Sequence, residues 1–224
     1  METLTNGYTL EICQGGFPLS TDSMCLAHFV KLPKNATVLD LGAGCGTLGL
    51  LLCARDESIR VTGVELSEAA HDCALENIRR NGLTRMESIC TDLRQWKADP
   101  LYELAVSNPP YFVGGPAATL KDARREDTCS LQDLFTAAAK AVKYGGDFYL
   151  VHRPERLAEL CSAATAVSLE PKRLALVRHR ADGAVSLVLL QCRKGGKPGL
   201  TLEDWILRST DGAPTDLYRA IYHL

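Results

Sequence analysis

The chain predicts an open α/β sheet, mostly parallel and twisted, with an antiparallel hairpin near its C-terminus. Three observations carry this. Apolar runs of strand length recur at residues 37–41, 60–64, 87–91, 101–107 and 147–151, with helix-length segments among them. A glycine loop, Gly42-Ala43-Gly44-Cys45-Gly46, joins the first of these strands to an apolar helix, so a ligand can lie against backbone at the helix N-terminus. Two further runs, 172–178 and 185–192, are joined through Ala181-Asp182-Gly183, which suits a hairpin on the sheet edge.

The elements follow in order. Residues 8–12 read as a short strand or turn, and 22–31 as a helix capped by Ser20 or Thr21. Helices are expected over 47–54, 68–81 and 132–142, the last ended by Lys143-Tyr144-Gly145-Gly146. Another begins at Pro154, a residue suited to a first helical position, and runs to about 167. The segment 113–130 is long for a compact protein and carries Gly114-Gly115-Pro116, Lys121, Arg124 and Arg125. Loops of that length are usually functional, so it is expected to clamp a substrate, a surface excursion being the alternative. At 224 residues the chain reads as one domain: an extension over 1–34, a core over 35–194 and a tail over 195–224 packed on that core.

Composition narrows the class. Hydrophobic residues make up 46% of the chain, enough for a full core. The N-terminal stretch has Glu2 and Glu11 and no apolar run, so neither a signal peptide nor a membrane span is expected, and the cytoplasm is the expected location. The nine cysteines are scattered, odd in number and never in C-x-x-C, which reads as reduced thiols and not a disulfide framework. Cys45 stands at a helix N-terminus, where a thiol pKa can fall, although a spacer role is the plainer reading. The net charge of −2 is unevenly placed: residues 140–199 hold 11 Lys/Arg against 5 Asp/Glu. That segment includes Arg153 and Arg156, candidates for phosphate contact, with ordinary solvated faces as the alternative.

The loop spacing bears on the cofactor. G-x-G-x-G, with Asp40 two residues before the first glycine, departs from the G-x-G-x-x-G of dinucleotide sites and favours S-adenosylmethionine over NAD. Asp40 would face the methionine ammonium, Gly42, Gly44 and Gly46 would admit the cofactor, and Glu65 would hold the ribose hydroxyls. Asp92 would accept the adenine amino group, or simply close a turn.

Asn108-Pro109-Pro110-Tyr111 follows the apolar Leu104-Ala105-Val106 and so ends a buried strand, where open α/β sheets place their chemistry. The tetrapeptide suits methylation of an exocyclic amine whose lone pair is delocalised. The Asn108 side-chain carbonyl and the Pro109 backbone carbonyl can each accept one N–H of that amine and draw it toward a tetrahedral geometry. Pro109 and Pro110 preorganise the backbone, Tyr111 offers a ring on which a base stacks, and Asn108 also borders the cofactor. A Pro-Pro turn closing a strand is the plainer alternative.

Taken in this order, Asp40 and the glycine loop, Glu65, Asp92 and the tetrapeptide resemble the class I S-adenosylmethionine-dependent methyltransferases of the N6-adenine and N5-glutamine type, with a Rossmann-like fold. A narrower set is similar to the bacterial tRNA1(Val) adenine-37 N6-methyltransferases. It comprises Gln14-Gly15-Gly16-Phe17-Pro18-Leu19-Ser20-Thr21-Asp22, Phe112, Val151-His152-Arg153-Pro154-Glu155-Arg156-Leu157, Glu170-Pro171-Lys172-Arg173 and Lys194-Gly195-Gly196-Lys197-Pro198-Gly199-Leu200. The resemblance covers nearly the whole chain. It implies transfer of a methyl group to adenine N6 in tRNA, without a metal, a membrane or an obligate protein partner, and with Phe112, Arg124 and Arg125 near the substrate. The chain has Ala123-Arg124-Arg125-Glu126 where the family often has Ala-Arg-His-Glu, which leaves open what Arg125 does. A glutamine N5-methyltransferase acting on a protein would use the same tetrapeptide, but the basic C-terminal region disfavours it. A fold that only binds RNA would be expected to have lost the loop or the tetrapeptide.

Overall fold

The computed structural model describes residues 2–4, 7–14, 16–110 and 129–222. Tyr111, Phe112, Arg124, Arg125 and most of the 113–130 segment lie outside the described residues. Two short strands, β1 (Glu2–Thr3) and β2 (Thr9–Leu10), pair antiparallel ahead of helix α1 (Thr21–Phe29). The alternation that follows is β3 (Thr37–Leu41), α2 (Thr47–Arg55), β4 (Arg60–Glu65), α3 (Glu68–Arg80), β5 (Met86–Cys90) and β6 (Tyr102–Ser107). Helix α4 (Leu131–Ala141), β7 (Val142–His152) and α5 (Leu157–Ala166) come next, then β8 (Leu169–Arg178), β9 (Val185–Lys194), β10 (Thr201–Ile206) and α6 (Asp216–Tyr222).

The main sheet has the order β10-β8-β9-β7-β6-β3-β4-β5. Strands β7, β6, β3, β4 and β5 are mutually parallel, and β9 is antiparallel to both β7 and β8. From β3 the chain proceeds outward through β4 and β5, then returns to place β6 on the other flank of β3. The crevice where this direction reverses, at the carboxyl ends of β3 and β6, is where open α/β sheets bind ligands.

Alternate residues of each strand serve opposite faces, as a sheet covered on both sides requires. Val38, Val106, Tyr149 and Leu189 pack with Leu26, Phe29 and Leu50 of α1 and α2 on one face. Leu39, Ala105, Phe148 and Leu190 pack with Phe135 of α4 and Leu160 of α5 on the other. The N-terminal segment is held by two side chains at i and i+4, Asn77 of α3 and Asn81 at its C-terminal cap. Asn77 Oδ1 accepts the Glu11 amide N–H and its Nδ2 donates to the Glu11 carbonyl, and Asn81 makes the same pair of bonds with Thr9. Two asparagines thus stand in for a strand partner.

Three expectations are corrected. The hairpin of β8 and β9 is present, but it is not the sheet edge: the tail adds β10 outside it, parallel to β8. Trp205 of β10 packs edge-on to Phe29, and Arg173 of β8 binds Glu203 at 2.8 Å while lying over the Phe29 ring. Only Trp205 is buried in an otherwise polar Thr-Leu-Glu-Asp-Trp-Ile run, so the strand has little alternation to read. The second correction concerns Lys143-Tyr144-Gly145-Gly146, which lies inside β7 instead of ending a helix; the ladder to β6 shifts register across it. Third, the predicted helix from Pro154 opens as a 3-10 turn, Pro154–Arg156, before α5 begins.

Candidate functional site

The glycine loop hangs between β3 and β4. The N–H groups of Gly42 and Ala43 both donate to the Val64 carbonyl, and the Gly44 N–H donates to Glu65 Oε2 at 2.8 Å. Gly42 and Gly44 hold φ of +74° and +55°, and a side-chain carbon built on either would project into open space. The loop is therefore a cradle whose backbone faces open space at Gly42 and Gly44, where a ligand can approach it closely. The Cys45 carbonyl is held by Nδ2 of the fully buried Asn77, the same nitrogen that holds Glu11. One amide ties the loop to the N-terminal segment.

Asp40 lies beneath this cradle, 1% exposed and paired in register with Val106 of β6 and Gly63 of β4. Neither carboxylate oxygen has a hydrogen-bond partner among the described residues. Burial, and then the nearby negative charge of Glu65, push its pKa up to about 7; the Gly49 amide pulls the other way without closing a hydrogen bond on either oxygen. An orphaned buried carboxylate of this kind is costly alone and fits a ligand cation. Glu65, at the end of β4, spends one lone pair of each oxygen on backbone, at Gly44 and at Ser67 N–H (2.8 Å). The remaining lone pairs can receive hydroxyl donors. Asp92, beyond β5 on the same edge, is engaged: it accepts the Arg94 backbone N–H at 2.9 Å and pairs with the Arg94 guanidinium. That is turn chemistry, as its alternative reading held, and it pulls the Asp92 pKa down through the hydrogen bonds from Arg94.

At the end of β6, the fully buried Ser107 donates to the Leu41 carbonyl at 2.7 Å and so locks the mouth of β6 to that of β3. Asn108 follows at once, its Nδ2 donating to Ser23 Oγ of α1 at 2.9 Å. Pro109 is buried and Pro110 half-buried. The structure thus brings Asp40, the glycines, Glu65, Asp92, Asn108, Pro109 and Pro110 to one edge of the sheet. Sequence reasoning missed Ser23, Asn77 and Ser107, short polar residues inside apolar or helical patterns that only tertiary contacts distinguish.

The basic segment divides. Arg153 and Arg156 follow β7, which runs parallel to β6, so they lie at the same edge as Asn108, with Arg156 bound to Glu159. Lys172, Arg173 and Arg193 sit toward the opposite edge, where they line an open cleft of about 520 Å³ with Lys31, Pro33 and Tyr149. None of the residues named for chemistry borders that cleft. Arg173, Arg178, Arg180 and Arg193 are each ion-paired, with Glu203, Asp204, Asp182 and Asp147. A continuous cationic stripe is therefore not what the +6 balance produces. Cys45 also departs from the helix-terminus argument: burial raises its pKa, and its thiol lies 3.5 Å from that of Cys13. It stays a neutral spacer.

A family model described as the methyltransferase small domain matches residues 19–161. The chain belongs to that family. A tRNA1(Val) (adenine(37)-N6)-methyltransferase of Tolumonas auensis is 34% identical over 86% of this chain and 83% of its own length. One from Shewanella halifaxensis is 30% identical over 70% of this chain and 71% of its own. In fold, the chain is similar to the crystal structure of a predicted O-methyltransferase from Agrobacterium tumefaciens, with a TM-score of 0.74, 24% identity and coverage of 91% of this chain and 96% of that one. The Rossmann-like sheet with its C-terminal antiparallel pair is thus the architecture of this methyltransferase. Among the described residues, no helix is long and apolar enough to cross a membrane.

The state of Asp40 gives a measurable consequence. Its carboxyl holds a proton below about pH 7 in the free protein, and a bound ammonium favours the carboxylate. S-adenosylmethionine affinity should therefore rise from pH 5.5 to 7.5, with proton uptake by the buffer on binding below pH 7. Calorimetry in buffers of different ionisation enthalpy reads both effects, and Asp40→Asn should weaken binding and abolish the buffer dependence.

Proposed function

We propose that this methyltransferase transfers a methyl group from S-adenosylmethionine to the exocyclic N6 of an adenine in tRNA, and by likeness to its relatives to adenine 37 of a valine tRNA. The observation that carries the reading is the amide of Asn108 beside the topological switch point, its nitrogen bound to Ser23 and its carbonyl oxygen without a donor among the described residues. The curated relatives, alike over most of both chains, supply the substrate class. Residues 1–224 work as one domain, and acting on tRNA places it in the cytoplasm.

When bound, S-adenosylmethionine supplies an electrophilic sulfonium methyl. Asp40 receives the ammonium of its methionine part and Glu65 the ribose hydroxyls, while Gly42 and Gly44 leave room for both; Gly46 faces the protein instead, where a side-chain carbon would meet Met86 Cε at 3.0 Å. Asp92 takes the adenine amino group only if Arg94 yields one of its bonds. The target adenine leaves its stack to reach the pocket. Asn108 Oδ1 and the Pro109 carbonyl each accept one N–H of its amine, which lowers the delocalisation of the nitrogen lone pair and stabilises positive charge as the methyl bond forms. Pro109 and Pro110 hold those acceptors in place, and Tyr111 stacks on the base. The proton leaves the methylated amine for solvent. Phe112, Arg124 and Arg125 border the substrate, and Arg153 and Arg156 contact its phosphates.

Two experiments test this. Asn108→Ala should lower the rate of methyl transfer to tRNA by at least ~100-fold, the scale seen when a charge-stabilising contact is removed, and leave S-adenosylmethionine affinity within about twofold. Radiolabelled transfer to tRNA, run beside a release-factor protein, reads it; wild-type turnover in the variant, or label in the protein alone, would refute the assignment. Reversing Arg153 and Arg156 to Glu should raise the tRNA dissociation constant and make the slope of log affinity against log salt shallower by roughly 1.5, since two phosphate contacts are lost. An unchanged slope would move the RNA surface elsewhere.

A further inference from the structure

We infer that Ser23 is a positioning residue for methyl transfer, holding the Asn108 amide by its nitrogen so that its oxygen faces the target amine; the inference rests on the role given to Asn108 above. A carboxamide has two ends of nearly equal size and opposite polarity. With Oδ1 toward the amine, the amide accepts a hydrogen bond. Rotated by half a turn, it presents N–H against N–H and holds nothing. Shape does not choose between these states; a hydroxyl behind the amide holds the oxygen-forward one while it accepts from Nδ2, and the flipped one would require that hydroxyl to turn and donate to Oδ1.

Ser23 Oγ occupies that place, receiving Asn108 Nδ2 at 2.9 Å across 85 residues of sequence. Ser23 is 5% exposed, so bulk water does not compete for the bond. Its position is itself determined by the start of α1. Ser20 caps the helix by accepting the Ser23 backbone N–H at 3.3 Å, and Ser20 Oγ lies 3.5 Å from Ser23 Oγ. Leu26 and Phe29, two of the most deeply buried side chains, anchor the following turns in the core. The selecting hydroxyl is thus carried on a capped, packed helix, the kind of support that holds a reacting group closely. Pro109 restricts the backbone of Asn108 from the other side, which leaves the side-chain torsions for Ser23 to settle.

A purely structural serine would affect stability and not turnover. Steady-state rates are measured on tRNA from cells lacking the protein, with S-adenosylmethionine as donor, for Ser23→Ala, Ser23→Thr, Asn108→Ala and the Ser23→Ala/Asn108→Ala pair. Ser23→Ala should lower kcat about tenfold, the scale of one buried neutral hydrogen bond, with KM for tRNA and Kd for S-adenosylmethionine within twofold. Ser23→Thr, which keeps the hydroxyl, should restore most of the rate. In the pair, Ser23→Ala should add nothing to the residual rate of Asn108→Ala, since no amide remains to be oriented. Should Ser23→Ala fail to fold, Ser23→Cys, which fills the space with a poor acceptor, carries the same expectation. Wild-type kcat in these variants, an undiminished tenfold loss on top of Asn108→Ala, or a loss that Ser23→Thr does not repair would overturn the inference. If Asn108→Ala itself turned over at the wild-type rate, the reading of the site would fall instead, so the two failures are told apart.

Discussion

The parallel pairing of β3 with β6 is the constraint on which the rest of the site depends. Asp40 lies opposite Val106, and Ser107 reaches from the next position to the Leu41 carbonyl. Because these two strands are adjacent in space although β4 and β5 come between them in sequence, the glycine loop and Asn108-Pro109 open into one crevice. A shift of one residue in that register would turn Asp40 to the opposite face and remove it from beneath the loop. The deep apolar packing on both faces of the sheet holds the register. The chemistry is thus positioned by residues that take no part in it.

Within that frame the site stores free energy in the free protein. A carboxyl without a hydrogen-bond partner among the described residues, buried at Asp40 near Glu65, is unfavourable in its charged form, and the fully buried Val38, Leu39 and Leu41 about it offer no compensating side-chain donor. A ligand cation beside Asp40 would relieve this penalty. The other contributors are arranged more economically. Glu65 and Asn77 each serve the loop and a neighbouring segment at once, Glu65 at Ser67 and Asn77 at Glu11.

Much of this was legible in the sequence where the local pattern and the tertiary role coincide. The strands at 37–41 and 60–65 and the glycine loop between them could be read because apolar runs, turn glycines and terminal acids all point to the same unit. Asn108-Pro109 could be placed at a strand end for the same reason. Other features depended on contacts that leave no local trace. β10 has the composition of an exposed edge, and its membership in the sheet comes from Trp205 on Phe29 and Arg173 on Glu203. The Lys143-Tyr144-Gly145-Gly146 stretch has turn residues but continues a strand, because the ladder to β6 absorbs the irregularity. The basic balance of 140–199 was visible as a number, yet not its division between two edges or its neutralisation by Asp147, Asp182, Glu203 and Asp204. Ser23 and Asn77 look like ordinary helix residues until the partner of each is known.

The glycine cradle and the proposed amine acceptor meet at one switch point, and the fate of the transferred methyl group tests that union most directly. Purified protein would be incubated with S-adenosylmethionine carrying a deuterated methyl and with total tRNA from cells that lack the protein. The tRNA would then be digested, and both nucleosides and any co-purified protein examined by mass spectrometry. Labelled N6-methyladenosine arising from one adenine of one tRNA is the expected result. Label on a ribose oxygen, on a base carbon or on a glutamine side chain would contradict it.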